Sequence, residues 1–155
     1  MKRYVYLLLL AVSFAGLNSC SKSSDPAPDP LVGTWKLDRI RSSGFSGAYA
    51  SYNGDNDPTL FDYQDTFTTK TDKTFTGTVR TGGRITDYNG NWTSSSNTLT
   101  LNDSQGNTDT YTLDQTKSPL QLLGQALSQS DSLTNPSTKK VELVNYTLQL
   151  VYVKQ

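Results

Sequence analysis

The sequence predicts an all-β protein, an eight-stranded antiparallel up-and-down barrel with one short helix near the C-terminal end. Three observations predict it. Runs of strand length in which apolar and polar residues alternate recur from Leu31 to Lys154. Clusters of Gly, Asn and Asp separate them at close intervals, as turns do in all-β proteins. Helices do not alternate with these runs, so the rhythm of a parallel α/β sheet is missing. Eight short strands close most simply into a barrel, which removes sheet edges and either fills its interior with side chains or holds one small ligand.

The chain divides into residues 1–19, residues 20–30 and residues 31–155. Lys2 and Arg3 precede the apolar run Tyr4 to Ala15, the pattern of a secretion signal. That run is shorter than the roughly 20 apolar residues of a membrane-spanning helix. Leu17-Asn18-Ser19-Cys20 then resembles the lipobox of bacterial lipoproteins, in which the cysteine is acylated and becomes the mature N-terminus. Cys20 is the only cysteine of the chain and stands where a lipobox requires it. It is the expected lipidation site, with palmitate-type acyl chains as the membrane anchor. Ser21 follows it, so retention at an inner membrane is not signalled. The expected address is the cell envelope, at an outer membrane on its periplasmic or outward face. Residues 20–30 are polar, with Pro26, Pro28 and Pro30, and read as an extended tether.

Within residues 31–155, Leu31, Gly33, Trp35 and Leu37 share one face of a first strand. Residues 42–59 are rich in Gly, Ser, Asn and Asp and read as a long loop or an irregular excursion. Phe61, Tyr63, Asp65 and Phe67 share a face, and a turn at Asp72-Lys73 leads to Phe75, Gly77 and Val79. Gly82-Gly83 makes the next turn. Tyr88, Gly90 and Trp92 follow on one face, with a bulge expected between them and Ile85. Turns at Asn97 and Gln105-Gly106-Asn107 separate Leu99 and Leu101 from Tyr111 and Leu113. Ser118-Pro119 with Gln121 is a helix-start signal, and Leu120, Leu123 and Leu127 fall on one helical face, which predicts a helix to about Ser128. A loop then leads to a strand over residues 139–144, a turn at Asn145 and a last strand over residues 147–154.

These residues resemble the lipocalin-like domains of bacterial lipoproteins. The resemblance rests on Gly33 and Trp35 of the opening strand, Phe67 and Phe75 on either side of a turn, Gly90 and Trp92, and Leu99 and Leu101. It runs from about Leu31 to Val153 and implies the barrel fold and a capacity to enclose an apolar ligand. Trp35 would plug the closed end of such a barrel, its indole N–H requiring a partner.

Composition narrows the chemistry. The chain has no histidine, and its one cysteine is committed to lipid, which excludes imidazole and thiolate metal sites and His- or Cys-based catalysis. Equal numbers of basic and acidic residues, without a basic cluster, offer no footprint for nucleic acid. Asp65 on an apolar face reads either as a functional buried carboxylate or as a rim residue near solvent. Asn53 to Pro58 begins like a calcium loop but has Pro58 where glycine is needed and Gln64 at the last ligand position. Tyr49, Tyr52, Tyr63 and Tyr88 offer rings for sugar stacking or for a cavity wall.

The leading expectation is a monomeric, membrane-tethered, non-enzymatic barrel that binds a small apolar or amphipathic molecule without cofactor or metal. Its interior would be lined by Trp35, Phe61, Tyr63, Asp65, Phe67, Phe75, Trp92, Tyr111 and Leu150. A module holding a glycan or partner protein on its exterior and the 42–59 loop is the alternative, and a hydrolytic enzyme is the third.

Overall fold

A computed structural model describes residues 28–155. The secretion signal, Cys20 and most of the tether lie outside the described residues. Among the described residues ten strands form: β1 (Gly33–Ser43), β2 (Gly54–Asn56), β3 (Tyr63–Thr69), β4 (Thr74–Thr81), β5 (Arg84–Ser95), β6 (Thr98–Asp103), β7 (Thr108–Asp114), β8 (Gln121–Gly124), β9 (Leu127–Thr134) and β10 (Val141–Lys154). Eight of them close a ring in the order β1-β3-β4-β5-β6-β7-β8-β10, with β10 pairing back onto β1 and every pair antiparallel. This is the closed up-and-down barrel. β2 adds to the far end of β1, and β9 adds to the first half of β10, outside the ring.

The turns follow from their residues. Thr81 pairs with Arg84, so Gly82 and Gly83 alone reverse the chain, both at positive φ (56° and 73°) where side chains are strained. Asp103 closes the β6–β7 turn by accepting from the backbone N–H groups of Gln105 and Asn107, each at 2.8 Å. The β1 strand carries a bulge between Leu37 and Arg39, after which Ile40 and Ser42 take over the buried face.

One end of the barrel is packed solid. Trp35, Phe67, Phe75, Trp92, Leu99 and Leu122 are at most 1% exposed there, and Leu31 and Leu113 pack with them. The Trp35 indole N–H donates to the Leu31 carbonyl at 3.1 Å. The Trp92 indole donates to the Lys70 carbonyl at 2.9 Å, and the Lys73 ammonium sits 3.6 Å from the centre of a Trp92 ring. Lys154 covers Trp35 and donates to the Pro30 carbonyl at 2.6 Å, which ties the last strand to the chain just before the first.

Four local expectations need correction. The segment expected to be helical over residues 120–128 is strand: β8 and the start of β9. A helix there would have left the facing edges of β7 and β10 without backbone partners, so ring closure overrides the local helix-start signal. No turn forms at Asn145, because β10 runs unbroken from Val141 to Lys154 and Asn145 pairs with Ser130 of β9, a strand in a segment expected to be loop. β5 has no bulge; Ile85 simply points outward at the open-end hairpin and is 69% exposed. Residues 42–59 are largely ordered, with 3-10 turns at Gly47–Tyr52 and Pro58–Phe61 flanking β2.

The β9–β10 pair extends past the barrel as an arm. The first 3-10 turn packs on it: Tyr49 is buried, and its hydroxyl donates to the Leu133 carbonyl and to Glu142. Phe45 stacks on Tyr146 at 4.5 Å between ring centres. Ile40, Tyr49 and Val144 are buried outside the main core cluster.

Candidate functional site

The inward-facing residues change character along each strand. Towards the closed end they are Trp92 on β5, Phe67 on β3, Leu99 on β6 and Leu113 on β7. Towards the other end they become Tyr88, Asp65 and Tyr63, Asp103, and Tyr111 and Asp109. This end is not filled. It holds a cup of about 590 Å3, open between the β4–β5 and β6–β7 hairpins and walled by Tyr63, Val79, Tyr88, Tyr111, Leu150 and Tyr152.

Asp65 lies in the wall of this cup and is only 7% exposed. The Tyr88 hydroxyl donates to its Oδ1 at 2.7 Å and the Tyr152 hydroxyl to its Oδ2 at 2.6 Å. Burial pushes the carboxyl above the usual carboxylate range; bonds from Tyr152, Tyr88 and the Thr66 backbone pull it partly back, and nearby Asp109 pushes it up again. Burial likewise raises the phenols of Tyr88, Tyr111 and Tyr152, and lifts Tyr63 to about 12. All four therefore stay neutral donors at physiological pH.

Two features of the sequence make this arrangement possible. Period-2 alternation on β3 places Asp65 on the inner face between Tyr63 and Phe67. Gly77 pairs directly with Tyr88 across β4 and β5, and a side-chain carbon at position 77 would lie 2.3 Å from Tyr88 Cζ. The glycine thus leaves the space into which the Tyr88 ring leans to reach Asp65 two strands away.

The rim is acidic. Asp103 and Asp109 stand on it, with Gln105, Asn107 and Thr108. The Asn107 side chain and the turn backbone hold the Asp103 carboxyl below its ordinary value, whereas burial raises that of Asp109. A second hollow of about 510 Å3, which shares Asp65 with the cup, lies against the β1 bulge and the second 3-10 turn, lined also by Lys36, Asp38, Asp57, Gln64 and Gln155. Its lining mixes Lys36 with Asp38 and Asp57, whereas the cup has no basic residue and four tyrosines.

The structure brings together Tyr63, Asp65, Tyr111 and Leu150 of the residues expected to line a ligand. Trp35, Phe67, Phe75 and Trp92 are inside the barrel but sealed in the packed end, where they contact one another and no cavity. Phe61 does not face the interior. It ends the second 3-10 turn and is 54% exposed, because Asp62 takes a left-handed conformation (φ 48°) and breaks the alternation before Tyr63. Tyr49 is buried against the β9–β10 pair and Tyr52 stands exposed beside it, so neither lines the cup. Tyr152, Val79, Asp103 and Asp109 complete the cup, and strand parity carries their signal: Asp109 alternates with Tyr111 and Leu113, and Asp103 with Leu99 and Leu101.

A small antiparallel barrel plugged at one end by a Gly-x-Trp strand and open at the other is the architecture of a ligand-enclosing barrel. The family model of the lipocalin-like domain matches residues 31–122, and the chain belongs to that family. The matched region ends within β8, so the closing strand β10, with Leu150 and Tyr152, lies beyond it. Among curated proteins, none matches the chain.

Proposed function

We propose that this protein is a lipid-anchored binding protein that holds one small amphipathic molecule in the open half of its barrel. The observation that carries the reading is the cup itself, about 590 Å3, within the few-hundred-Å3 range of small-molecule sites, with tyrosine, valine and leucine side chains in its wall and polar side chains, Asp103, Gln105, Asn107, Thr108 and Asp109 among them, at its rim. Binding fits the site better than catalysis, since both Asp65 oxygens accept from tyrosine hydroxyls. Cys20, as the acylated first residue, would place the protein on an outer membrane. The tether would then join the barrel at the packed end, where Leu31 is buried, and the cup would face away from the lipid surface.

Native mass spectrometry of the chain purified from membranes tests the binding. A co-purifying small-molecule adduct is the expected result. Absence of any adduct, together with no fluorescence gain by the neutral apolar probe N-phenyl-1-naphthylamine, would overturn it. For the anchor, Cys20→Ser should move the protein from the membrane to the soluble fraction; unchanged membrane association would refute lipidation at that residue.

A second reading, a glycan or protein held on the exterior near residues 42–59, draws on Leu60 and Phe61, which stand exposed on the second 3-10 turn. Paired Leu60→Ser and Phe61→Ser substitutions should abolish pull-down of such a partner without touching the buried cores. Retained capture by that variant would exclude this face.

A further inference from the structure

We infer that the cup selects an organic cation, an amine or quaternary ammonium carrying an apolar group, over neutral or anionic molecules of the same shape. The inference rests on the binding reading above and adds the sign of the ligand.

Three independent features converge on it. The cavity is lined by four tyrosines, the half-buried Tyr63 and Tyr88 and the buried Tyr111 and Tyr152, and aromatic rings attract cations through their quadrupoles. Tyr152 meets Tyr111 edge-on, with centres 5.4 Å apart, which fixes two of these rings at an angle. Asp65, more than nine-tenths buried, is held only by neutral donors on its side chain. Among the described residues no lysine or arginine forms an ion pair with Asp65, Asp103 or Asp109. A carboxylate in such a place carries a desolvation cost that two phenol bonds offset only in part. A bound cation would supply the missing countercharge.

The lining is one-sided as well. It contains three aspartates and no lysine, arginine or histidine. An anionic ligand would enter past Asp103 and Asp109 and meet Asp65 at the wall, with no basic group to receive it. A neutral ligand would gain apolar contact from Val79, Leu150 and the rings but leave Asp65 uncompensated. Only a cation with an apolar body satisfies both surfaces at once.

The experiment is displacement of N-phenyl-1-naphthylamine from the folded chain at neutral pH by three molecules of similar shape. These are 2-phenylethylamine (a cation), 2-phenylethanol (neutral) and 3-phenylpropanoate (an anion). The amine is expected to displace the probe at a concentration about tenfold lower than the alcohol, with the anion weakest. Asp65→Asn should bring amine and alcohol close to parity. Asp109→Asn, at the rim and away from the packed core, should lower the preference roughly threefold. Displacement by the alcohol or the anion at or below the amine's concentration overturns the inference while leaving small-molecule binding intact. Failure of the probe to bind, together with no co-purifying adduct in native mass spectrometry, removes the binding reading and this inference with it. An amine preference unaltered in both variants refutes the assignment of the selecting charge to this cup.

Discussion

Gly77→Ala is the sharpest perturbation of the cup, because it adds one methyl group on the strand opposite the residue it moves. The new carbon would lie 2.3 Å from Cζ, 2.6 Å from the hydroxyl oxygen and 2.7 Å from Cε1 of Tyr88. None of these is tolerable, so the ring must swing away and its 2.7 Å bond to Asp65 is lost. A hydrogen bond to a buried charged acceptor contributes about 1.5–3 kcal/mol, while replacing glycine by alanine within a strand returns about 0.5–1 kcal/mol. The net loss is about 1–2 kcal/mol, equivalent to a fall of about 1 M in the urea midpoint.

Two controls tie that loss to Tyr88 and Asp65. In a Tyr88→Ala background no ring stands in the way, so the same Gly77→Ala change should cost nothing or stabilise slightly. The penalty should also shrink in acid. Asp65 already titrates above the ordinary 3.8, and removing a donor raises it further, so the loss is largest where the carboxyl is ionised. It fades as pH falls through that raised value and the neutral acid no longer needs two donors. Equal costs in both backgrounds, or a midpoint that does not move, would refute the claim that Gly77 exists to seat Tyr88.

Asp65→Asn should alter the pH dependence of stability in a defined direction. Because the folded pKa of Asp65 is raised, ionisation costs the folded state, and the wild type should lose stability relative to the variant as pH climbs from 3.8 through the raised value. Paired thermal melts across that range check it, and a difference that grows in the opposite sense would show the carboxyl to be stabilised as an anion. Tyr88, Tyr111 and Tyr152 should not ionise in the folded chain at pH values where exposed phenols do, around the ordinary value of 10.0. Ultraviolet titration should show their ionisation only on unfolding, with stability falling above pH 10.0 as the unfolded chain loses those protons first. Gly90→Ala should be more damaging than Gly77→Ala, by about 3 kcal/mol, since its added carbon would sit 2.0 Å from the Asn102 carbonyl oxygen and 2.8 Å from Asp103 Cα, backbone atoms that cannot rotate aside. Chemical denaturation measures it.

The barrel was legible because its signals are local and repeated. Gly82-Gly83, Asn97 and the Gln105–Asn107 turn each reverse the chain where turn chemistry places them, and Trp35, Phe67, Phe75 and Trp92 mark the buried parity of four strands. The C-terminal third was not legible, for two physical reasons. Leu120, Leu123 and Leu127 satisfy a helical period, but Gln121–Gly124 is held by pairing with β7 and β10, partners distant in sequence that no local pattern announces. β9 is almost wholly exposed, so Ser128, Gln129, Ser130 and Asp131 carry no alternation of polarity to read. Eight barrel strands were expected and eight are found, although the expected set divides β10 at Asn145 and omits β8. The candidate site was half legible. Asp65 stands out as a carboxylate among aromatics on one face, but its partners Tyr88 and Tyr152 lie 23 and 87 residues away.

The polarity gradient inside the barrel explains why one half can hold an exposed cavity while the other cannot. Packing in the closed half is dense, with indole N–H groups satisfied by carbonyls of the Leu31 and Lys70 turns, so little surface is left for a guest. Along the inward positions of the same strands Phe67 gives way to Asp65 and Tyr63, Trp92 to Gly90 and Tyr88, and Leu101 to Asp103. Each such exchange removes apolar filling and adds a polar atom that needs a partner. Tyr88, Tyr152 and Asp65 satisfy one another across β3, β5 and β10, which lets a carboxylate sit inside the wall without collapsing the cup around it. The closed half bears the cost of that arrangement: its aromatic plug secures the ring of strands on which the cup is mounted. Substitutions in the plug should therefore unfold the protein, whereas substitutions among Tyr63, Tyr88, Tyr111 and Asp109 should retune what the cup holds while the barrel stays closed.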